Sequence, residues 1–303
     1  MLFDAHCDTA YEMFRHSYGL YENPGHTDLR RGLELMPYAQ FYAIFALPGE
    51  AEIFERELNW LLSEIEFNAG RVSLCRTAKE AGAAADEGRA AAFISVEGAE
   101  LLGCSIDGLE KAWEKGVRAV NLTWNEDNEL AGAAATGNNL GLTQKGREFV
   151  RAANELGVII DVSHLSERAF WDICEVTDAP FMASHSNSKA ICPHFRNLTD
   201  AQFCEIARRG GAVGLNLYTG FLGGNSISDV VSHFERFISL GGEKTLALGS
   251  DLDGCDSLPE GINGIQDMLK LRCKLSESGY GDTLLDDVFY NNLMRLVERI
   301  CGI

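Results

Sequence analysis

Histidines and carboxylates recur at the ends of short apolar runs in this sequence. The first run, MLFDAH, ends in His6 with Asp8 two positions later, and later runs end in Glu97, His164 and His185. Side chains two apart on a strand project from the same face, so His6 and Asp8 form a candidate pair of metal ligands. Mixed imidazole and carboxylate ligands suit zinc or a similar divalent metal better than magnesium or calcium, which prefer oxygen ligands throughout.

The size of this set predicts more than one metal ion. Three histidines with two or three carboxylates exceed the ligands that one catalytic zinc requires, so we expect two zinc ions per chain, with Glu97 bridging them. Asp251, in LGSDLDG, is a further strand-end carboxylate. Asp4 and Asp253 are expected to have supporting roles. Each residue alone has an ordinary explanation, such as a helix cap or a turn, and the prediction depends on the whole set coming together.

Apolar runs of β type alternate with amphipathic helical stretches along the chain. The eight predicted strands cover residues 1–6, 41–47, 90–98, 117–124, 157–164, 180–185, 211–217 and 245–251. They are apolar on both faces, which is typical of a parallel sheet covered by helices. Eight such steps in about 250 residues predict a single (β/α)8 barrel domain over residues 1–303, with a doubly wound open sheet as the alternative.

Helix boundaries and the barrel together predict where the polar residues lie. The helical segment 50–70 is expected to end at Gly70. Thr143 and Gly157 are predicted to cap a second helix, and Thr199 and Gly210 a third. Active sites of such barrels are built at the C-terminal ends of the strands, so the strand-ending residues are expected to meet at one mouth.

Composition and charge exclude several classes of partner. The chain has 26 basic and 45 acidic residues, a net charge of −19, which argues against nucleic-acid and anionic-membrane partners. No apolar run reaches the roughly 18–20 residues needed to span a bilayer, and the N-terminus does not resemble a secretion signal. The nine cysteines are odd in number, scattered and without a CxxC pair. We therefore expect reduced thiols in a cytoplasmic protein.

Other hydrolytic chemistries find less support. The sequence has no GxSxG motif, and SVEGAE places a glutamate where a serine nucleophile would stand. Cys7 lies between His6 and Asp8 but is predicted to point away from them. Glycoside hydrolysis by paired glutamates stays open, although it would leave the histidines without a role.

Longer motifs around these residues resemble a known family. DAHCDT, FISVEG, IIDVSHLS, PFMASHSNSKAICPHFRNLTD and LGSDLDG resemble motifs of the membrane (renal) dipeptidase family of zinc peptidases, in the amidohydrolase superfamily. The resemblance runs from residue 3 to the C-terminal YNNLMRLVE, in the family's order. Its most specific part is the stretch from His185 to Arg196. It implies a (β/α)8 barrel that carries two zinc ions.

The resemblance also implies a role for each matching position. The implied zinc ligands are His6 and Asp8 for one ion, His164 and His185 for the other, and Glu97 as the bridge. Asp251 matches the aspartate that handles the proton of the bridging water. Arg196 matches the arginine that binds the terminal carboxylate of the substrate, a task suited to the guanidinium fork.

Two positions depart from the family pattern. Members commonly carry a histidine in an LTH motif after strand four, where this chain reads NLTWNEDNEL and places Trp124. Tryptophan cannot take up a proton, and Asn125 or Asn128 are expected to supply polar contacts instead. Phe221 stands where mammalian relatives have a substrate-contacting tyrosine, which Tyr218 is expected to replace in part.

These patterns predict a zinc-dependent dipeptidase that hydrolyses L,L or L,D dipeptides with a hydroxide shared between two metals. Substrate contacts are expected from Arg196, Trp124, Asn125, Tyr218 and Phe221. The alternatives are an amidohydrolase acting on another small amide or N-acyl amino acid, or a metal-binding barrel without catalysis. The expected partner is a small dipeptide-like molecule, and the family resemblance favours a homodimer.

Overall fold

A computed structural model describes residues 1–302. Its strands are β1 (Leu2–Cys7), β2 (Tyr38–Ile44), β3 (Val72–Leu74), β4 (Ala90–Glu97), β5 (Val117–Asn121), β6 (Ile159–Asp161), β7 (Met182–Ala183), β8 (Ala212–Leu215) and β9 (Leu246–Leu248). All pair in parallel, in the order β2-β1-β9-β8-β7-β6-β5-β4-β3, and β2 also pairs with β4. This last pairing closes a barrel of eight strands, which confirms the predicted (β/α)8 fold.

Helices cover the outside of the barrel. They are α1 (Thr9–His16), α2 (Leu29–Gly32), α3 (Phe54–Phe67), α4 (Ala78–Asp86), α5 (Ile106–Glu114), α6 (Gln144–Leu156), α7 (Glu167–Val176), α8 (Asp200–Arg209), α9 (Thr219–Leu222), α10 (Ile227–Ser239), α11 (Met268–Glu277), α12 (Asp282–Asp286) and α13 (Asn292–Cys301). Among residues 1–302, none of these helices has both the length and the apolar character that a membrane crossing requires.

The eight predicted strands are all present, but several are shorter than predicted. For example, β6 spans three residues and β7 two, because the polar residues that end their runs already belong to loops. The sequence does not predict β3, which has three residues, too few to show a strand period. It pairs with the first half of β4, while β5 pairs with the second half, so β3 lies outside the closed barrel.

Two of the three predicted helix ends are confirmed. The Thr143 side chain accepts a hydrogen bond from the amide of the third helical residue of α6, and Gly157 ends that helix in the left-handed conformation at φ +70°. Thr199 forms a reciprocal capping box with Gln202 at the start of α8, and Gly210 ends α8 at φ +73°. These contacts satisfy backbone groups that a helix leaves unpaired at its ends.

The predicted end of α3 at Gly70 is wrong. The helix stops at Phe67, and Asn68 follows as its C-cap. The Asn68 side-chain amide donates a hydrogen bond to the Glu64 carbonyl at 2.9 Å. Because asparagine can bond locally to free helix carbonyls, it ends the helix two residues before the glycine.

The barrel interior is filled at its N-terminal end. Phe3, Phe41 and Phe93 stack there with ring centroids 5.1–5.7 Å apart. Leu293 and Leu296 of α13 join the same buried cluster. Apolar side chains thus close this end of the barrel interior, and the site is expected at the opposite end, where the strands finish.

Candidate active site

The predicted metal-site residues meet at the C-terminal end of the barrel. They are His6 at the end of β1, Asp8 just after it, Glu97 as the last residue of β4, and His164, His185 and Asp251 in the loops after β6, β7 and β9. None is more than 9% exposed. Six ionisable side chains are thus withdrawn from water at one place, where they must satisfy one another or bind a cation.

A β-bulge in β1 aims His6 into this site. The pairing of β1 with β2 shifts by one residue between Asp4 and Cys7. Phe3 packs in the barrel interior, whereas Cys7 packs in the outer core between the barrel and the helices, with its Sγ 3.6 Å from the Phe41 carbonyl. Cys7 points away from the site, as predicted, but the bulge rather than simple strand alternation sets the direction of its neighbours.

The Glu97 carboxylate lies between the three histidines. Its Oε1 is 2.9 Å from His164 Nε2, 3.5 Å from His185 Nε2 and 3.6 Å from His6 Nε2. The two Nε2 atoms of His164 and His185 are themselves 3.0 Å apart. One carboxylate that reaches all three imidazoles is suited to bridge two cations.

A second group of ligand atoms surrounds His6. Its Nε2 is 3.4 Å from Asp8 Oδ2 and 3.9 Å from Asp251 Oδ1. Two sets of three residues bring their ligand atoms within 4.8 Å of one another, and both contain His6: His6 with Glu97 and His185, and His6 with Asp8 and Asp251. The ligand atoms therefore divide into two adjoining groups.

Hydrogen bonds determine which nitrogens of His185 carry a proton. Arg196 Nη2 donates to His185 Nε2 at 2.8 Å, so that nitrogen is an acceptor. Nδ1 then carries the proton and donates to Ser184 Oγ at 2.7 Å. Burial lowers the pKa of His164 and of His185 well below its usual range, aided by nearby positive charge. Both rings are therefore neutral, and the one lone pair of His185 accepts the hydrogen bond from Arg196.

The neighbouring carboxylates shift the pKa of His6 in the opposite direction. Burial alone would lower its pKa, but the charges of Glu97, Asp8 and Asp251 outweigh burial and raise the pKa to about 10. Burial in turn raises the pKa of Glu97 well above its usual range and raises that of Asp251. Carboxylates this close together repel one another when ionised, and a bound cation would stabilise them.

Three further observations fit a divalent metal here. Both ring nitrogens of His6, and Asp8 Oδ1, are buried without a hydrogen-bond partner in residues 1–302. A Cβ atom on Gly254 would lie 1.9 Å from Asp8 Oδ2 and 2.6 Å from Asp251 Oδ1, so only glycine lets the backbone approach these carboxylates. Buried polar atoms normally have partners, and the imidazole and carboxylate donors suit zinc or a related ion.

Two of the site residues have strained backbones. His164 has φ +72° and Asp251 has φ +60°. This left-handed region is uncommon for residues other than glycine and costs about 1–3 kcal/mol. Such strain persists where the surrounding structure enforces it, and both residues line the cavity at the end of the barrel.

Buried carboxylates beneath the site hold neighbouring strand ends together. Asp4 Oδ1 accepts the amides of His6 at 3.0 Å and Ser250 at 3.1 Å, which joins the ends of β1 and β9. Asp161 Oδ1 accepts the amide of Ser184 at 2.9 Å, which joins β6 to β7. The supporting role expected of Asp4 is thus to hold the ends of β1 and β9 together. The sequence reasoning missed Asp161, although it too is a carboxylate inside an apolar run.

A cavity of about 530 Å³ opens above the metal-site residues, within the range of small-molecule sites. All five predicted substrate contacts line it: Arg196, Trp124, Asn125, Tyr218 and Phe221. Asn128 does not, because its side chain donates to Leu122 O, next to β5, and to Glu100 Oε2, in the segment after β4. Trp124 packs edge-on against Phe45, with ring centroids 4.9 Å apart. Sequence reasoning missed Phe45 as a wall residue.

Arg196 is a buried cation at the edge of the cavity. It is 6% exposed, and its guanidinium carbon lies 5.5 Å from the centre of the Phe221 ring. Burial lowers its pKa to about 10, so it stays charged at neutral pH. Its Nε has no partner within residues 1–302. A buried guanidinium with an unused donor is suited to bind an anion.

Asn216 is a site residue that the sequence reasoning missed. Its Nδ2 donates to Asp251 Oδ2 at 2.8 Å, which fixes the carboxylate plane and leaves Oδ1 toward His6. Asn216 directly follows β8, so the strand-end rule that found the ligands could also have found it.

Comparison with known proteins agrees with this arrangement. The membrane dipeptidase family (peptidase family M19) matches residues 1–301. An uncharacterized protein from the pqqA 5′ region of Klebsiella pneumoniae is 32% identical over 84% of this chain and 99% of its own length. Two further curated relatives are matched over about half of their own length, 52% and 48%.

Solved structures give the same result. A Rhodobacter sphaeroides metallo peptidase, liganded with a phosphinate mimic of the dipeptide L-Ala-D-Ala, superposes with a TM-score of 0.92 at 28% identity, covering 99% of each chain. A metallo peptidase of family M19, dipeptidase AC, has a TM-score of 0.92 at 30% identity, covering 100% of this chain and 99% of its own. Family match, fold and site residues agree, and this chain belongs to the membrane dipeptidase family, peptidase family M19.

Proposed function

We propose that this protein is a zinc-dependent dipeptidase that holds two zinc ions. The observation that carries the proposal is that a buried set of imidazole and carboxylate ligands shares one cavity with a single buried arginine. The cavity has the size of a small ligand, and the similar R. sphaeroides peptidase binds a dipeptide mimic.

The family resemblance, together with the position of Glu97, suggests how the ions would be held. His6 and Asp8 would hold one ion, His164 and His185 the other, and Glu97 would contact both, as its Oε1 lies within 3.6 Å of all three imidazoles. Zinc in such a site lowers the pKa of water and polarises a carbonyl group. The protein supplies a dry and preorganised setting, since the ligand residues are buried.

Asp251 is the proposed general base and acid. Asn216 holds its Oδ2, and its Oδ1 faces the ligand group around His6 at 3.9 Å. From there it would take a proton from the attacking water and return it to the leaving amine. A carboxylate fixed at one oxygen and free at the other is suited to this two-way transfer.

Arg196 is the proposed anchor for the terminal carboxylate of the substrate. Its unused Nε and its position beside His185 place the positive charge next to the ligand group, in the same cavity. Tyr218 and Phe221, with ring centroids 4.8 Å apart, wall the cavity on this side. Trp124 and Phe45 wall it elsewhere, and these walls would choose among substrate side chains.

One observation favours a second candidate, hydrolysis of another small amide or N-acyl amino acid. Trp124 takes a position in the cavity wall and offers only one N–H donor. A cavity without an ionisable group at this position would select substrates by shape there, rather than by proton exchange.

We also propose a cytoplasmic location. All nine cysteines are unpaired, with Cys7, Cys75, Cys104 and Cys301 buried as thiols, which suits a reducing compartment. The homodimer stays a prediction.

A substrate panel on zinc-loaded protein tests the function. We expect turnover of unblocked L,L or L,D dipeptides, its loss on chelation and its return when zinc is added. Zinc content should reach two per chain, and His185→Gln should reduce it. Cleavage of another amide with no turnover of any dipeptide would assign the second candidate, and turnover unchanged by chelation would refute the metal-dependent reading.

A further inference from the structure

Asn125 has a contact that goes beyond lining the cavity. Its Oδ1 lies 3.0 Å from Nδ1 of His164. The opposite nitrogen of the same ring, Nε2, is the one that faces Glu97 and His185. A neutral imidazole has one proton, so the partner of Nδ1 decides whether Nε2 is a donor or a lone pair.

We propose that Asn125 is a positioning residue that holds His164 in the tautomer with the proton on Nδ1 and thereby keeps Nε2 free to bind metal. An amide oxygen can only accept a hydrogen bond, so Nδ1 must donate to it. The proposal rests on the proposed metal centre, and it concerns how this chain prepares one ligand for the metal.

The competing tautomer has a partner ready. If Nε2 carried the proton, it would donate to Glu97 Oε1 at 2.9 Å. That hydrogen bond would block the ligand face of His164 and occupy the carboxylate expected to bridge the ions. A metal would then have to displace a proton as well as bind, which weakens its affinity.

The two paired histidines are held in different ways. His185 has Ser184 at Nδ1, at 2.7 Å, and Arg196 at Nε2, at 2.8 Å, so two partners enforce its tautomer. For His164, Asn125 is the only hydrogen-bond partner of Nδ1 in residues 1–302. Loss of Asn125 should therefore change the tautomer of His164 and leave that of His185 as it is.

The surrounding loop keeps Asn125 in place. Asn128 Oδ1 accepts the amides of Leu130 at 2.8 Å and Ala131 at 3.2 Å, and its Nδ2 donates to Leu122 O at 2.7 Å. A little further on, the Ala134 amide donates to the His164 carbonyl at 2.7 Å. The loop after β5 is thus tied both to its own strand and to the residue that Asn125 positions.

Nitrogen-15 NMR of the histidines in metal-free protein tests the tautomer directly. The chain has seven histidines, and the His164 signals are identified by their loss in His164→Gln. We expect the Nδ1–H form of His164 in the unaltered protein and in Asn125→Asp, which keeps an acceptor. Asn125→Leu, of similar size but without an acceptor, should shift His164 toward the Nε2–H form while His185 keeps its Nδ1–H form.

Zinc affinity, measured by competition with a chelator, is the second readout. Outer partners of metal-bound histidines change affinity by about 10- to 100-fold, so Asn125→Leu should weaken one of the two zinc sites by that factor. The matched control is Glu126→Gln, at the exposed next position of the same loop, which should change neither tautomer nor affinity. An unchanged His164 tautomer together with wild-type zinc affinity in Asn125→Leu would overturn the proposal.

The outcomes separate this inference from the proposed function. A tautomer shift with weakened zinc binding, in a protein that cleaves no dipeptide, would refute the function and leave the role of Asn125 standing. Dipeptide cleavage by the wild type, together with an unchanged His164 tautomer and zinc affinity in Asn125→Leu, would support the function and refute the role of Asn125. If Asn125→Leu does not fold, Asn125→Asp decides: retention of Nδ1–H with zinc affinity at least equal to wild type supports the proposal, and weaker binding overturns it.

Discussion

Replacing Arg196 with methionine tests whether this residue binds the substrate carboxylate. Methionine keeps much of the side-chain length and packing while it removes the charge and every donor. Arg196 is 6% exposed, so a carboxylate bound to it would be largely withdrawn from water. Its pKa of about 10 leaves it charged throughout the neutral range, so the charge is available to every substrate molecule that enters.

The burial of Arg196 sets the size of the expected decrease in kcat/KM. Charge-assisted hydrogen bonds contribute about 1.5–3 kcal/mol each, and removing one partner of a buried charged pair costs about 2–5 kcal/mol. A loss of about 3 kcal/mol corresponds to a decrease of about 150-fold in kcat/KM. Nη2 already donates to His185, whereas Nε has no partner within residues 1–302 and is the donor left for the substrate carboxylate.

The assay compares a dipeptide with its C-terminal amide in both proteins. If Arg196 binds the carboxylate, Arg196→Met should lower kcat/KM for the free dipeptide about 150-fold and change that for the amide only slightly. Arg196→Lys, which keeps the charge without the fork, should lie between. Equal losses for both substrates would refute the reasoning, because Arg196 would then act through its hydrogen bond to His185 and not through the substrate.

Three further perturbations test other parts of the site and its support. Asp251→Asn should lower kcat by about 100- to 10,000-fold with zinc content unchanged, because Asn216 can still hold the side chain; loss of one zinc equivalent would instead make Asp251 a ligand. Gly254→Ala should weaken zinc binding at least about tenfold with an unchanged circular dichroism spectrum, since the new Cβ would lie 1.9 Å from Asp8 Oδ2; wild-type affinity would contradict the close approach. Burial, reinforced by the charge of Asp8, raises the pKa of Glu57 well above its usual value, so the folded state binds an extra proton and its free energy of unfolding falls as pH rises above about 4.5. Glu57→Gln keeps an acceptor for the Phe45 amide. Its free energy of unfolding, measured in urea between pH 5 and 8, should rise relative to that of the wild type by up to about 1.4 kcal/mol per pH unit. A difference that does not vary with pH would show that the pKa of Glu57 is not raised in the folded protein.

The positions of the metal-site residues could be predicted from the sequence because barrel geometry leaves little choice. In a closed parallel barrel all strands finish at the same end, so polar residues that end apolar runs must meet there. That rule brought His6 together with His164, although they are far apart in sequence. It required only approximate strand ends, which is why strands shorter than predicted did not affect it.

Other features could not be read because they depend on contacts across the fold. The bulge in β1 is visible only in its pairing with β2, and it reverses the directions that simple alternation gives. The role of Asn125 depends on a ring nitrogen 39 positions away. The end of α3 was missed for a local reason, since Asn68 competes with the glycine that the pattern favours.

The site is supported in a way that separates metal binding from substrate choice. Asp4 holds the end of β1 to that of β9, and Asp161 holds β6 to β7, in each case by accepting hydrogen bonds from backbone amides. These strand ends carry His6 and His164, so the ligands are fixed by the barrel itself. Trp124 instead lies in the loop after β5 and Phe221 in the short helix α9, and neither takes part in the hydrogen bonds of Asp4 and Asp161. Substitutions at these two wall positions can therefore change which amide fits while the hydrogen bonds that hold β1 and β6 stay intact, and the tryptophan that departs from the family pattern is compatible with an intact metal site.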